Sequence, residues 1–285
     1  MLDGVMLLWF VLTALSVLYV GLDIRSTPES PVLKWGFVLL TAYTGPIGAF
    51  LYVLGCREPL PGLHERYTAA RWRQVLGSTM HCVAGDGIGI LAGAVIAASV
   101  ELSGYGDVAL EYVLGFAFGW SIFQSLFMRG MAGGSYTRAL AGTFFSELLS
   151  MNCLMAGMVP VMTVAMAHVP GGRDPSHPAF WFVMSMALLI GFVTAYPMNW
   201  WLVARHLKHG MMTVRASVER ADGASAHASG TGHHHMSGDR LDHDNVSAPH
   251  PDGRSVTTAA LAGMTVLSVG IFALGLVLAM FLGGL

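Results

Sequence analysis

Seven stretches of this chain are apolar, almost free of charge and about as long as a bilayer is thick. They run over about 4–22, 33–55, 76–99, 108–128, 140–167, 179–204 and 258–283. A run of ~20 apolar residues spans the hydrocarbon core as a helix. Helix is also the form in which no backbone N–H or C=O is left facing lipid. The sequence therefore predicts an all-α, polytopic transmembrane helix bundle of about seven spans. Composition agrees, with 54% apolar and 11% charged residues, where soluble domains carry ~25% charged. This excludes a soluble enzyme, a secreted disulfide scaffold and a disordered chain. A net charge of −2 provides no basic surface for nucleic acid. Three cysteines, Cys56, Cys82 and Cys153, make no disulfide framework. The first stretch holds Asp3 and no basic region, so it reads as a retained span rather than a cleaved signal.

The chain divides into a core over 1–215 with six spans, a linker over 216–257 and a last helix over 258–285. The linker is rich in Gly, Ser, Asp and His and poor in large apolar residues, which predicts a disordered segment. Lys and Arg favour cytoplasmic loops. With the N-terminus inside, the inside loops hold twelve of them and the outside loops hold Arg25, Lys34 and Arg173. The expected orientation is N-terminus cytoplasmic and C-terminus outside, in the inner membrane of a prokaryote. The polar segment 57–75 could lie on the inner leaflet, with Leu60, Leu63, Tyr67 and Trp72 against lipid.

Ionisable side chains within spans are costly and point to function. The third span carries His81, Cys82 and Asp86, the fifth Glu147, Asn152 and Cys153, the fourth Gln124, and the sixth Pro197 and Asn199. Helical rise puts His81, Cys82, Gln124, Glu147 and Asn199 in one slab, with Asp86 a turn deeper. This predicts one intramembrane polar site, although such groups also serve simply to fix helix packing. On the fifth span Met151, Met155, Met158, Met162 and Met166 share one helical face that continues to Glu147. Thioethers suit Cu(I), and they also pack well in ordinary cores. Gly85, Gly89 and Gly93 mark a close-packing face that would centre the third span in the bundle. In the linker, His233, His234, His235 and His243 could bind metal loosely.

No P-loop, dinucleotide-binding glycine pattern, nucleophile elbow or HExxH motif is present. A haem held by two histidines would need a second intramembrane His beside His81. The segments His81-Cys82-Val83-Ala84-Gly85-Asp86-Gly87-Ile88-Gly89 and Tyr196-Pro197-Met198-Asn199-Trp200-Trp201-Leu202, followed by Lys208-His209-Gly210-Met211, resemble a known family. It is a prokaryotic integral membrane family described only as a domain of unknown function. The resemblance covers about residues 30–212 and leaves out the first span, the linker and the last span. It implies a helical membrane bundle and no particular activity.

The functional expectation is passage or handling of a metal cation, copper or zinc. His81, Cys82, Asp86, Glu147, Met151, Met155, Met158 and Met162 would form the path, and Gln124, Asn152 and Asn199 would support it. The alternative is a non-catalytic membrane subunit or sensor whose polar layer is structural. A visible-absorbing oxidoreductase is a third reading. Lipid, a metal ion and either a second copy or another membrane protein are the expected partners.

Overall fold

The computed structural model describes residues 2–129, 132–210 and 256–283, and every regular element in these residues is helical. In chain order they are α1 (Leu2–Asp23), α2 (Pro31–Thr44), α3 (Pro46–Gly55), α4 (His64–Thr68), α5 (Arg71–Ser99) and α6 (Tyr105–Phe118). A π-helical turn (Gly119–Gln124) follows, then α7 (Ser125–Met128), α8 (Tyr136–His168), α9 (Pro178–Ala204) and α10 (Thr258–Gly283). Five of them, α1, α5, α8, α9 and α10, are long and apolar enough to cross a membrane. The protein is a multi-pass membrane protein. The linker histidines His233, His234, His235 and His243 lie outside the described residues.

The segment expected to cross once over 33–55 does not do so. It is two helices, α2 and α3, folded back on each other as a hairpin. At 14 and 10 residues, they reach only about 21 and 15 Å, short of a ~30 Å core. The break has a local cause. Gly45 has φ +59°, a left-handed conformation that side chains resist, and Pro46 starts a new helix with a residue that lacks an N–H. At the tip, Thr41 and Thr44 donate back to the carbonyls of Phe37 and Leu40. The Tyr43 carbonyl accepts from Ser185 of α9. The polar groups freed by the turn are thus satisfied inside the bundle, as buried backbone demands. Ser30 caps α2, accepting from the Leu33 N–H at 3.4 Å, with Pro31 at the first position.

The hairpin returns the chain to the end of the bundle it left. Asp23, the last residue of α1, accepts from Tyr52 of α3 at 2.8 Å and pairs with Arg57 at 3.0 Å. α5 starts at this same end, where Arg73 donates to the Leu54 carbonyl, and α9 finishes there, with Tyr196 donating to the Trp72 carbonyl. α10 runs parallel to α8: Asn152 bonds Ser268, Gly275 sits against Ala156, and Gly283 against Thr163. The first residues of α1 and the last of α10 therefore lie at the same end, not at opposite ends as seven crossings would require. The polar segment 57–75 is not one amphipathic helix. It holds the five-residue α4, while its last residues already belong to α5. Leu60 and Leu63 are exposed.

α5 is the central helix, buried along most of its length and packed against α2, α6 and α9. Its glycine face is used as expected. Gly85 faces Phe123 and Gly119, Gly89 faces Leu114 and Gly115, and a Cβ on Gly93 would lie 2.8 Å from the Glu111 Cα. The two backbones pack so closely that side chains near this seam are forced together.

Candidate functional site

The seam between α5 and the π turn is where two carboxyls meet. A Cβ on Gly119 would overlap Asp86 Oδ1 and come within 2.8 Å of Glu147 Oε1. The wide turn, with Ser125 Oγ donating to the Trp120 carbonyl at 2.7 Å, re-aims the helix at this level, a use π turns often have. Asp86 and Glu147 are fully buried and face one another across Gly119. No N–H or O–H of another described residue reaches Asp86 Oδ1, Asp86 Oδ2 or Glu147 Oε1. Contact between two carboxyls in a dry interior needs a proton or a cation between them.

The other Glu147 oxygen, Oε2, completes a network. Cys82 Sγ donates to it at 3.4 Å and Lys208 Nζ at 3.4 Å, with both members of the ion pair at or below 1% side-chain exposure. Lys208 also donates to Asn199 Oδ1 at 2.9 Å, and Asn199 Nδ2 donates to Ser150 Oγ at 2.9 Å. Cys82 leans on Gln124 Oε1 at 3.9 Å. Cys82, Asp86, Gln124, Glu147 and Asn199, marked from the sequence, thus stand in one layer.

His81 is one residue from Cys82 and so turns to another flank of α5. Its ring packs on Phe127 and Phe123, with centroids 4.9 and 5.6 Å away, beside Gly36 of α2. Its Nε2 has no hydrogen-bond partner among the described residues, and it does not stand with Cys82 and Glu147 as a joint ligand. A small pocket lined by Ser78, His81, Gln124 and His209 lies on that flank. His209, on the loop below, is held under the usual histidine range by burial, with His206 adding to the effect. Asn152 also stands apart. It accepts from Tyr112 of α6 at 2.7 Å and donates to Ser268 of α10 at 3.1 Å, so it pins three helices together.

Met151, Met155, Met158 and Met162 are all buried, in the main apolar cluster. The stripe rises from Glu147 toward the other end of the bundle. There Met162 and Met166 line a cavity of about 400 Å³ with Asp107, Glu111 and Arg173. Neither carboxyl oxygen of the fully buried Glu111 has a hydrogen-bond partner among the described residues.

Sequence reasoning missed Lys208 and Glu111. Lys208 follows α9 and reads as an interfacial residue. The chain instead reverses: Leu207 N–H bonds the Leu202 carbonyl and His206 N–H the Val203 carbonyl, with His206 at φ +56°. This is a Schellman turn with histidine where glycine is usual, and it folds Lys208 back into the bundle. Glu111 sits amid apolar residues near a helix start, where an acidic residue is ordinary. A third group gave no sequence signal, because its members are distant in the chain. Glu29, Cys56 and His64 are buried at the base of the α2–α3 hairpin, and one ligand atom from each lies within 4.8 Å of the others.

No curated protein and no solved structure matches the chain. Residues 71–208 match the model of a family described as Domain of unknown function (DUF4396), which takes in α5 to α9 and Lys208, and so holds the whole polar layer while excluding α1, the hairpin and α10.

Proposed function

We propose that this protein carries a soft cation, with Cu(I) the best fit and Zn(II) the borderline case, across the membrane in exchange for protons. The observation that carries this reading is the meeting of Asp86 and Glu147 with one ammonium group, Lys208, for two carboxyls. Burial makes uncompensated charge costly, so the layer is balanced by Lys208 plus a proton, or by a cation that takes the place of one of them. In this reading the cation enters at Glu111 and Asp107, moves along Met162, Met158, Met155 and Met151, and reaches Cys82 and Glu147. The proton between Asp86 and Glu147 leaves as Cu(I) arrives, and the Cys82 thiol proton leaves as well when the ion is Zn(II), so no charge goes uncompensated; Lys208 lets go of Glu147 and keeps its bond to Asn199.

We place the basic end of the bundle in the cytoplasm, because the Lys and Arg among the described residues lie there, apart from Arg173 at the other end and Lys208 in the buried layer. Arg25 and Lys34 join that side once the hairpin is not a crossing. α6, the π turn and α7 together make a further crossing, giving six in all, with both termini outside.

A second reading is favoured by the closed chain Lys208–Asn199–Ser150, which would also suit a structural layer in a non-catalytic subunit or sensor. Uptake of Cu(I) and Zn(II) into proteoliposomes separates the two. Glu147→Gln and Asp86→Asn proteins that keep the wild-type elution profile and helicity but lose uptake support transport. Variants that unfold, or that take up metal as wild type does, support the structural layer.

A further inference from the structure

We propose that Glu29, Cys56 and His64 form a zinc(II) site that fastens the base of the α2–α3 hairpin. The three residues come from three separate pieces of chain: the loop after α1, the end of α3 and the start of α4. Their side chains are buried, and a carboxylate oxygen, a sulfur and a ring nitrogen lie within 4.8 Å of one another. Carboxylate, thiolate and imidazole are the donor set of zinc(II). Ligand atoms around a tetrahedral zinc stand about 3.3–3.6 Å apart, given metal–ligand bonds of about 2.0–2.3 Å. His64 Nε2 and Glu29 Oε1 are 3.5 Å apart. That fits two ligands of one ion and exceeds the ~2.7–3.2 Å of a good N–H···O hydrogen bond. The same nitrogen now donates a hydrogen bond to the Cys56 carbonyl oxygen at 3.1 Å, and zinc would take the place of that ring proton.

Charge points the same way. Zn(II) with one thiolate, one carboxylate and a neutral imidazole is a neutral unit, which burial tolerates. The place explains the need. The hairpin is short, its two ends must be held together, and the loops at its base are joined otherwise by Asp23, Thr27, Tyr52 and Arg57. The site is independent of the transport layer, shares no residue with it, and lies outside the matched family domain.

The test uses the full chain purified in detergent, loaded with zinc(II) and dialysed against a weak chelator. Metal content is compared between wild type and variants, so that loose binding by the linker histidines cancels. The expected result is one zinc per chain lost in Cys56→Ser and in His64→Ala, and kept in Cys82→Ser, His81→Ala and Glu147→Gln. Cobalt(II) in place of zinc should give a near-ultraviolet thiolate-to-metal absorption that Cys56→Ser abolishes and Cys82→Ser and Cys153→Ser retain. A strong chelator should lower the melting temperature of wild type and leave Cys56→Ser unchanged. If Cys56→Ser does not fold, the near-isosteric Glu29→Gln carries the same expectation. Equal zinc in wild type and these variants, or a cobalt band that survives Cys56→Ser, overturns the proposal and leaves His64 and Glu29 as an ion pair. Because Cys56 and Cys82 are read separately, failure here and failure of the transport reading are distinguishable.

Discussion

Lys208 is the residue on which the polar layer turns. Its ammonium sits at 1% side-chain exposure against Glu147, and removing one partner of a buried pair typically costs about 3–5 kcal/mol. Lys208→Met should therefore destabilise the protein by roughly that amount, measured by denaturation in a fixed detergent. Glu147→Gln combined with Lys208→Met should recover most of the loss, since no unpaired charge remains. The sum of two independent penalties would show that the two groups do not interact. Cys82, Asp86, Gln124, Glu147 and Asn199 were legible in the sequence because depth along a helix follows from residue number. Which flank each one faces was not. His81 and Asn152 lie at suitable heights but on the wrong sides. Lys208 lies beyond a helix end, where only the reversal at His206 brings it back.

At the scale of elements, α5, α8, α9 and α10 follow from long apolar runs, and their observed bounds lie within a few residues of the expected ones, apart from the five-residue extension of α5 to Arg71. The hairpin does not follow, because a mostly apolar stretch over 33–55 reads alike whether it crosses or turns back. Thr44-Gly45-Pro46 is the signal that was present: a residue free to take positive φ followed by one that cannot continue the first helix. Gly45 also faces Trp9 of α1, whose ring carbon would be 3.0 Å from a Cβ there. Gly45→Ala should cost ~1–3 kcal/mol from its positive-φ backbone alone, and more from this contact. A melting temperature equal to wild type would mean that the turn is not as described. The π turn was equally hidden, since its residues, Gly119–Gln124, are an ordinary apolar helical sequence and only the packing against Asp86 and Glu147 gives it a role.

For the whole molecule, the hairpin decides which end of the bundle each loop reaches. A single segment that turns back instead of crossing reverses the side of α1 and moves Arg25 and Lys34 to the side of the other bases. Reporter residues placed singly in 24–30 and in 57–63 should be labelled from the same face of sealed vesicles, and those near Arg173 from the opposite face. Labelling of 24–30 and 57–63 from opposite faces would restore a crossing. In the proposed function the layer at Asp86 and Glu147 is where proton and cation compete, and the buried Met stripe runs from it to the cavity at Glu111. The most direct measurement is the internal pH of proteoliposomes, read by a trapped dye while a Cu(I) gradient is imposed. The account predicts a pH change with wild type and with Cys56→Ser, and none with Asp86→Asn or Glu147→Gln. Metal entry without any pH change, or a pH change that survives both carboxyl variants, would contradict it.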